Sequence, residues 1–305
     1  MMMRMLRVLA TSVLAVAALA ANQAASPLQT AIAEIAASSD GRVGASAMLL
    51  ETGERASVRG GERFPMQSVF KLPVALHVLH EVDAGRVKLE TPVTIGTADL
   101  LDGGLHPIAT EFPNGTTMTV EELLRRMVAN SDNTAVEVLL KLTGGPAAVT
   151  KRLRDLGITG IRVDRGERQI GKDLTGPGAL DRYLSDPRDT AMPDAAVDLL
   201  FKVLGGADLL PASQGRLRPW MTDTETGPMR IKGLLAPGTS VAHKTGTGPD
   251  REGFNTVTND IGLVLLPGGR HMAVAVFVAK SRQPLEAREL IIARIAKAAY
   301  DHWAH

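Results

Sequence analysis

Apolar residues recur along this chain with two different periods, and the period changes from one part of the chain to the next. Alternating runs bounded by turn residues predict β-strands near both ends of the chain. These runs are residues 43–50, 55–58, 240–248, 260–266 and 271–279. A spacing of three to four residues predicts a first helix from Ser26-Pro27, a last helix over 285–303, and further helices between the two groups of strands.

This order of helix, strands, helices, strands and helix predicts a two-lobed fold of the α/β plus all-α class. We expect the two groups of strands to pair in one antiparallel sheet flanked by the terminal helices, because a lone hairpin is marginally stable. Residues 26–61 and 223–305 are assigned to the α/β lobe, and residues 62–222 to an inserted all-α lobe. A cleft is expected where the lobes meet.

Residues 158–193 are an exception within the helical lobe, because glycines and prolines break every regular period there. The pattern predicts a long irregular loop. Loops of this length inside a compact domain are usually functional or disordered.

The first 25 residues have the features of a secretory signal peptide. Arg4 and Arg7 precede an apolar run over residues 8–20, and small residues follow through Ala25. The run is shorter than the roughly 20 residues that a membrane span requires, which argues against a transmembrane anchor. We therefore expect a periplasmic or secreted protein that has no membrane anchor once residues 1–25 are removed.

Charge and composition argue against several classes of function. Loss of two arginines with residues 1–25 takes the formal charge from +1 to −1, so no basic surface for nucleic acid is expected. The chain has no cysteine, which excludes disulfides and thiolate metal sites. Its histidines show no metal-ligand spacing, which disfavours a zinc hydrolase.

Three short motifs carry candidate chemistry. Ser68 and Lys71 open an apolar helical run three residues apart, so both side chains lie on one face near the positive end of the helix dipole. Ser131-Asp132-Asn133 stands at a break between two predicted helices and can present a hydroxyl and a carboxamide to the cleft. Lys244-Thr245-Gly246 lies in the predicted strand over 240–248.

Each motif also has an ordinary structural interpretation when it is taken alone. A serine three residues before a lysine can be a helix cap followed by a solvated side chain, and Ser-Asp-Asn can be a turn with an N-cap. In this order, however, the three motifs are typical of class A β-lactamases and penicillin-binding proteins.

Over its whole mature length the chain resembles a class A serine β-lactamase. Residues 64–71, 226–235 and 241–248 are especially similar to the PER-like extended-spectrum branch of that family. The resemblance implies the serine β-lactamase/penicillin-binding fold and periplasmic hydrolysis of penicillins and cephalosporins. It also implies a monomer that acts on a small-molecule β-lactam with no metal or organic cofactor.

The resemblance further implies a role for each matching residue. Ser68 would attack the lactam carbonyl, Lys71 would shuttle its proton, and Ser131 would protonate the departing nitrogen. Backbone N–H groups of Ser68 and Thr247 would form the oxyanion hole. Arg230 would bind the substrate carboxylate, although an ordinary surface arginine is the alternative. The other residues expected to hold or support the substrate site are Asn133, Lys244, Thr245, Gly246, Thr247 and Asp132.

Glu167 would distinguish a hydrolase from a protein that stays acylated. A loop carboxylate beside the serine can activate water against an ester, although an exposed loop glutamate is the ordinary alternative. Arg165 is expected to pair with Asp189. Two features depart from the family pattern: Gly171 replaces an asparagine that helps to hold the water, and the 22 positions from Glu167 to Asp189 exceed the usual length. Gln169 is an alternative group for holding that water.

Two rival functions share the three motifs. One is a penicillin-binding D-alanyl-D-alanine carboxypeptidase or transpeptidase, and the other is a non-hydrolytic β-lactam sensor. Many turnovers of a chromogenic cephalosporin would indicate the β-lactamase, whereas one stoichiometric burst would indicate either rival.

Overall fold

A computed structural model of the chain describes residues 26–204 and 208–305, and the predicted signal peptide lies outside the described residues. In chain order the strands are β1 Arg42–Leu49, β2 Arg55–Val58, β3 Phe64–Pro65, β4 Pro92–Ile95, β5 Thr116–Thr119, β6 Thr190–Ala191, β7 Val241–Thr247, β8 Asp250–Arg251, β9 Phe254–Leu265 and β10 His271–Ser281. The α-helices are α1 Pro27–Ala37, α2 Lys71–Asp83, α3 Ile108–Glu111, α4 Val120–Arg125, α5 Asn133–Leu142, α6 Gly145–Asp155, α7 Glu167–Asp173, α8 Ala179–Ser185, α9 Pro193–Leu204, α10 Pro211–Thr222 and α11 Leu285–Trp303.

The strands from the two ends of the chain form one antiparallel sheet, as predicted. Its order is β2-β1-β10-β9-β7, and β8 pairs with β9. The first strand β1 pairs along its whole length with the last strand β10, from Arg42 opposite Ala279 to Leu49 opposite Met272. The two ends of the chain therefore meet in the middle of an open sheet, the helical segments are inserted between the two groups of strands, and the predicted fold class is confirmed.

The sheet is covered on both faces, and the alternation of side chains along β10 shows how. Ala273, Ala275 and Phe277 face the inserted helices and belong to the larger apolar core. Val274 and Val276 face the opposite way, into a second core formed with α1 and α11. Within residues 26–204 and 208–305, no helix is both long enough and apolar enough to cross a membrane.

Strand β9 begins at Phe254, six residues before the start that the hydrophobic pattern predicts. The added segment carries polar side chains at fully or nearly fully buried positions: Asn255, Thr256, Thr258 and Asn259. A search for apolar alternation passes over such residues. Asn255, Thr258 and the amide nitrogen of Asn259 have hydrogen-bond partners inside the protein.

The segment over 158–193 is more ordered than predicted. It contains the helices α7 and α8, each seven residues long, and ends in β6, which pairs with β3 just before the Ser68 motif. Helices of two turns are too short to show a clear apolar period. The glycines around these two helices further obscure the period. Pairs β3–β6 and β4–β5 also place two small sheets inside the lobe that we predicted to be all-α. The lobe boundaries themselves stay a prediction.

Candidate active site

Ser68 lies in a 3₁₀ turn, Gln67–Phe70, that leads directly into α2. Lys71 is the first residue of α2, and its side chain is completely buried. Its Nζ lies 3.0 Å from Ser68 Oγ. Pro73 stands at the third position of α2, within the first turn, where helical N–H groups have no intrahelical partner.

The residue before the serine has a strained backbone. Gln67 has a φ of 46°, in the left-handed region that residues other than glycine rarely occupy. Its buried side-chain amide donates to the Tyr183 hydroxyl in α8 at 2.7 Å. The neighbouring Met66 N–H donates to the Asp189 carbonyl at 2.9 Å. The segment over 158–193 therefore supports the turn that carries the serine.

Ser131 also has a left-handed backbone, with φ 61°, at the end of a π-helical turn over Arg126–Asn130. Asp132 then fixes the bend with both carboxylate oxygens. One accepts from the Ala135 N–H at 2.7 Å and caps α5, and the other accepts from the Ile108 N–H at 2.7 Å. Burial raises the pKa of Asp132 in spite of these hydrogen bonds. The turn that the sequence predicts is present, and it aims the serine side chain inward.

The Lys71 ammonium is the meeting point of four other groups. It donates to the Ser131 carbonyl at 2.7 Å and to Asn133 Oδ1 at 2.6 Å, and it lies 3.1 Å from Glu167 Oε1. Ser68 Oγ lies 3.4 Å from the same glutamate oxygen. A hydroxyl and an amine from one segment and a carboxylate from another therefore share one site. Proton exchange among them needs no large movement.

Lys244 approaches from the opposite side of the cleft. Its side chain is fully buried, and its Nζ donates to Ser131 Oγ at 2.9 Å. Burial, reinforced by the positive charge of Lys71, lowers the pKa of Lys244 well below the ordinary lysine value. Strand β7 comes this close because Gly246 has no side chain: a Cβ there would lie 2.3 Å from the Met66 carbonyl oxygen.

Arg230 lies in the irregular segment between α10 and β7. Its side chain is only 4% exposed and its hydrogen-bonding groups are occupied. Nε donates to Glu289 at 3.0 Å, and Nη2 donates to Thr247 Oγ1 at 2.7 Å. Thr247 itself is exposed. The structure therefore places Thr247 at the cleft surface and Arg230 behind it. The arginine reaches the cleft through its hydrogen bond to the Thr247 hydroxyl.

The predicted pair between Arg165 and Asp189 is present, with Nε 2.5 Å from the carboxylate. Arg165 Nη1 binds two more carboxylates, those of Asp173 at 2.6 Å and Asp186 at 3.0 Å. Burial opposes its charge, but the hydrogen bonds to Asp189 and Asp173 raise the pKa of Arg165. The same arginine lowers the pKa of Asp173. One buried guanidinium thus joins both ends of the segment that carries Glu167.

Two residues that sequence reasoning connected with the catalytic water lie in this segment. Gly171 is exposed, and nothing lies within 4 Å of where a Cβ would be. Gln169 is exposed as well, and its amide donates to Asp173 at 2.7 Å. Its amide therefore belongs to the Arg165 network. In the described residues, no three histidine, aspartate or glutamate side chains cluster as metal ligands.

Glu137 is a residue of the site that sequence reasoning missed. Its Oε1 accepts from the backbone N–H of Arg168 at 2.9 Å, beside Glu167. A Cβ at Gly166 would lie 2.2 Å from that oxygen, so glycine is required for the contact. The available signal was its position four residues after Asn133, which puts both side chains on one face of α5.

Comparisons with known proteins indicate the family to which the chain belongs. Residues 27–303 match the model of the Beta-lactamase enzyme family. Extended-spectrum beta-lactamase PER-1 of Pseudomonas aeruginosa is 40% identical over 240 residues, which cover 78% of this chain and 75% of that protein. Beta-lactamase VEB-1 of the same organism is 39% identical over 242 residues, which cover 79% of this chain and 78% of that protein.

Solved structures give the same result for the fold. The TLA-3 extended-spectrum beta-lactamase matches with a TM-score of 0.84 at 31% identity, over 91% of this chain and 98% of that one. A beta-lactamase from Chitinophaga pinensis also matches at 0.84, with 35% identity over 90% and 98% of the two chains. Because sequence and fold agree over nearly the whole described chain, the protein belongs to the β-lactamase family and is a class A serine β-lactamase.

Proposed function

We propose that the protein hydrolyses penicillins and cephalosporins through a covalent acyl-enzyme on Ser68. The observation that carries the proposal is the position of Lys71 Nζ, 3.0 Å from Ser68 Oγ and 3.1 Å from Glu167 Oε1. A nucleophile, a proton carrier and a second base within mutual reach are what two successive acyl transfers require.

In the first transfer Ser68 Oγ bonds to the lactam carbonyl carbon and gives its proton to the Lys71–Glu167 pair. The tetrahedral oxyanion accepts hydrogen bonds from the backbone N–H groups of Ser68 and Thr247. The C–N bond then breaks, and the nitrogen takes the proton of Ser131 Oγ, which recovers one from Lys71, 3.5 Å away, so that the proton removed from Ser68 ends on the nitrogen. Lys244 lies 2.9 Å from that hydroxyl and stabilises the oxygen while it gives up its proton.

The substrate carboxylate lies against Thr247 in this proposal. The Thr247 hydroxyl is exposed and already accepts from Arg230, so its own proton is directed away from the arginine toward an incoming anion. Lys244 adds positive charge from beneath. Asn133 keeps its Oδ1 on Lys71 and its Nδ2 on the Asp102 carbonyl, an arrangement that substrate side-chain amides would have to share.

In the second transfer Glu167 takes a proton from a water molecule, and the oxygen of that water attacks the ester carbon. The ester C–O bond breaks, and Ser68 Oγ takes up the proton that Glu167 removed from the water, which regenerates both groups. The family asparagine at the position of Gly171 is missing, so the water would depend more heavily on Glu167 and Ser68. We also propose that the enzyme works in the periplasm after export, which rests on the signal-like residues 1–25.

The variant Glu167→Gln tests the mechanism. It should form the Ser68 ester with a penicillin at a nearly normal rate and then release it at least 10²-fold more slowly. Intact-mass spectrometry would show the protein plus the mass of the drug persisting for minutes to hours. Glu34→Gln, on an exposed part of α1, is the matched control and should turn over normally. No adduct, or an adduct released at the normal rate, would remove Glu167 from this role.

A further inference from the structure

Asn259 lies in β9, away from the residues assigned to chemistry, yet it contacts both halves of the site. It is completely buried and stands opposite Gly246 of β7 in the sheet register. Its side chain reaches the segment before the nucleophile, where Nδ2 donates to the carbonyl oxygens of Pro65 at 2.9 Å and Met66 at 3.1 Å.

The Met66 carbonyl is enclosed by these contacts. Gly246 lies so close on one side that a Cβ would be 2.3 Å from the oxygen, and Nδ2 of Asn259 donates to the same oxygen. A carboxamide nitrogen has two N–H donors, and here both are used on consecutive carbonyls. The turn is thereby joined to β7 and β9 by directional bonds as well as by packing.

The backbone of Asn259 extends the connection to the other side of the cleft. Its carbonyl accepts from Arg230 Nη1 at 2.9 Å, and Arg230 Nη2 donates to Thr247 Oγ1 at 2.7 Å. One residue therefore contacts the serine turn through its side chain and the Thr247 region through its main chain. Those two places supply the N–H groups of the oxyanion hole in the mechanism proposed above.

A fixed connection matters because the turn is strained. Gln67, between Met66 and Ser68, has a φ of 46° and would relax toward an ordinary conformation if its neighbours moved. Such relaxation would rotate the Ser68 N–H away from Thr247. An error near 1 Å in such a geometry is enough to lower a rate by about 10²-fold.

We propose that Asn259 is a positioning residue that sets the distance and orientation between the two N–H groups of the oxyanion hole. The proposal rests on the acyl-enzyme mechanism, because the hole has a function only if that ester forms. It also explains the choice of side chain. Leucine has a similar size but no donors, and aspartate would place a carboxylate against two carbonyl oxygens.

The test uses Asn259→Leu in the full-length protein and in the Glu167→Gln variant, with a penicillin labelled at the lactam carbonyl. Acylation should slow by about 10- to 100-fold per active site, and deacylation should slow as well, since both pass through an oxyanion. In the trapped ester, the infrared carbonyl stretch should move to higher frequency, because weaker hydrogen bonds leave the carbonyl less polarised.

Thr258→Val is the matched control. Thr258 is the preceding residue of β9, is equally buried, and its hydroxyl donates to Asn255 Oδ1 at 3.0 Å. Its stability loss should resemble that of Asn259→Leu while the stretch and the acylation rate per active site stay unchanged. If Asn259→Leu does not fold, Asn259→Ser, which fits the space but is too short to reach both carbonyls, takes its place.

The outcomes separate the two proposals. An ester that forms in Glu167→Gln with the same stretch and the same acylation rate with and without Asn259 would overturn the positioning role and leave the mechanism intact. Absence of any ester in Glu167→Gln itself would overturn the mechanism on which the positioning role rests.

Discussion

The two sides of the catalytic cleft are held in place by different forces. Ser68 lies in the turn that immediately precedes α2 and Lys71 begins the helix, and the first nine residues of this helix are all buried, six of them in the larger apolar core. Glu167 lies in a segment that Arg165 holds to three carboxylates, of which Asp173 is 27% exposed. Apolar packing, together with hydrogen bonds to the turn before Ser68, therefore positions the nucleophile, whereas ion pairs and caps position the carboxylate opposite it.

This difference separates the two half-reactions that we propose. Apolar packing of the core holds Ser68 and Lys71 in place. Salt and moderate pH changes have little effect on such packing. The position of Glu167 depends on the ion pairs of Arg165. A substitution can remove these ion pairs one at a time, and salt can screen the exposed ones. Substitutions on the side of the cleft that carries Ser68 and Lys71, the core side, should therefore stop acylation. Substitutions in the segment that carries Glu167, the loop side, should slow deacylation while the ester still forms.

The largest effect is expected from Lys71→Met, on the core side. Methionine fills a similar volume without the amine, so acylation should fall by roughly 10³-fold through loss of proton transfer. The substitution removes one partner of a buried pair and leaves Glu167, the Ser131 carbonyl and Asn133 Oδ1 without their donor, so the Tm should also fall. Rapid-quench mass spectrometry and thermal unfolding measure the two quantities. Acylation within tenfold of normal would contradict the assignment of Lys71.

Asp189→Asn should have the next largest effect, on the loop side. Removing one partner of a buried ion pair costs about 3 kcal/mol, near the lower end of the range because Arg165 keeps Asp173 and Asp186. Deacylation should slow by at least about tenfold. Acylation should change much less than deacylation. Single-turnover kinetics measure the acylation and deacylation rates, and urea unfolding measures the loss of stability.

Asp181→Asn is the control within the same segment. Its carboxylate is 72% exposed and pairs with Lys280 at 2.8 Å. An exposed ion pair contributes about 0.5 kcal/mol, so both rates should stay near normal. Equal effects from Asp181→Asn and Asp189→Asn would mean that the segment does not depend on the buried network.

A smaller effect, on substrate affinity, is expected from pH. Because burial and Lys71 lower the pKa of Lys244, kcat/KM for carboxylate-bearing substrates should begin to fall at a lower pH than an ordinary lysine would dictate. The sign follows from deprotonation: above that pKa the amine is neutral and attracts the anion less. Linkage gives the matching stability trend, since protonated Lys244 destabilises the fold below its lowered pKa and this cost disappears as pH rises toward about 10.4.

A substrate methyl ester provides the control for this pH dependence. It lacks the anion, so the alkaline fall in kcat/KM should be much weaker for the ester than for the parent acid. Identical profiles for acid and ester would show that Lys244 does not act on the carboxylate.

The sequence was most informative where local rules decide structure. The closing helix, predicted over 285–303 from its spacing of apolar residues, has those bounds. The sequence was least informative where distant groups meet. Two short helices within 158–193 and the polar half of β9 depend on tertiary hydrogen bonds that no local period records.

The same reason explains the gaps in the predicted site. Ser68, Lys71, Ser131, Glu167 and Lys244 were identified by motif, and the structure brings their side chains together. Glu137, Asn259 and Glu289 carry no motif and act on the backbone or on another side chain. Arg230 was assigned to the substrate, but its partner Glu289 is 59 residues away in α11, and nothing local shows that the arginine is already bound.

Glu137 connects the two sides of the cleft, because it lies on α5 and accepts a hydrogen bond from the Arg168 N–H in the segment that carries Glu167. Its substitution should have the smallest effect. Glu137→Ala removes the acceptor for the Arg168 N–H, which should destabilise the start of α7 by about 1 kcal/mol. Deacylation should slow about fivefold with acylation unchanged, since the displaced residue is adjacent to Glu167. Glu137→Gln keeps an amide oxygen at the same place and should restore most of the rate. If alanine and glutamine slow deacylation equally, the contact acts through its charge, and the loop side would be held by electrostatics alone.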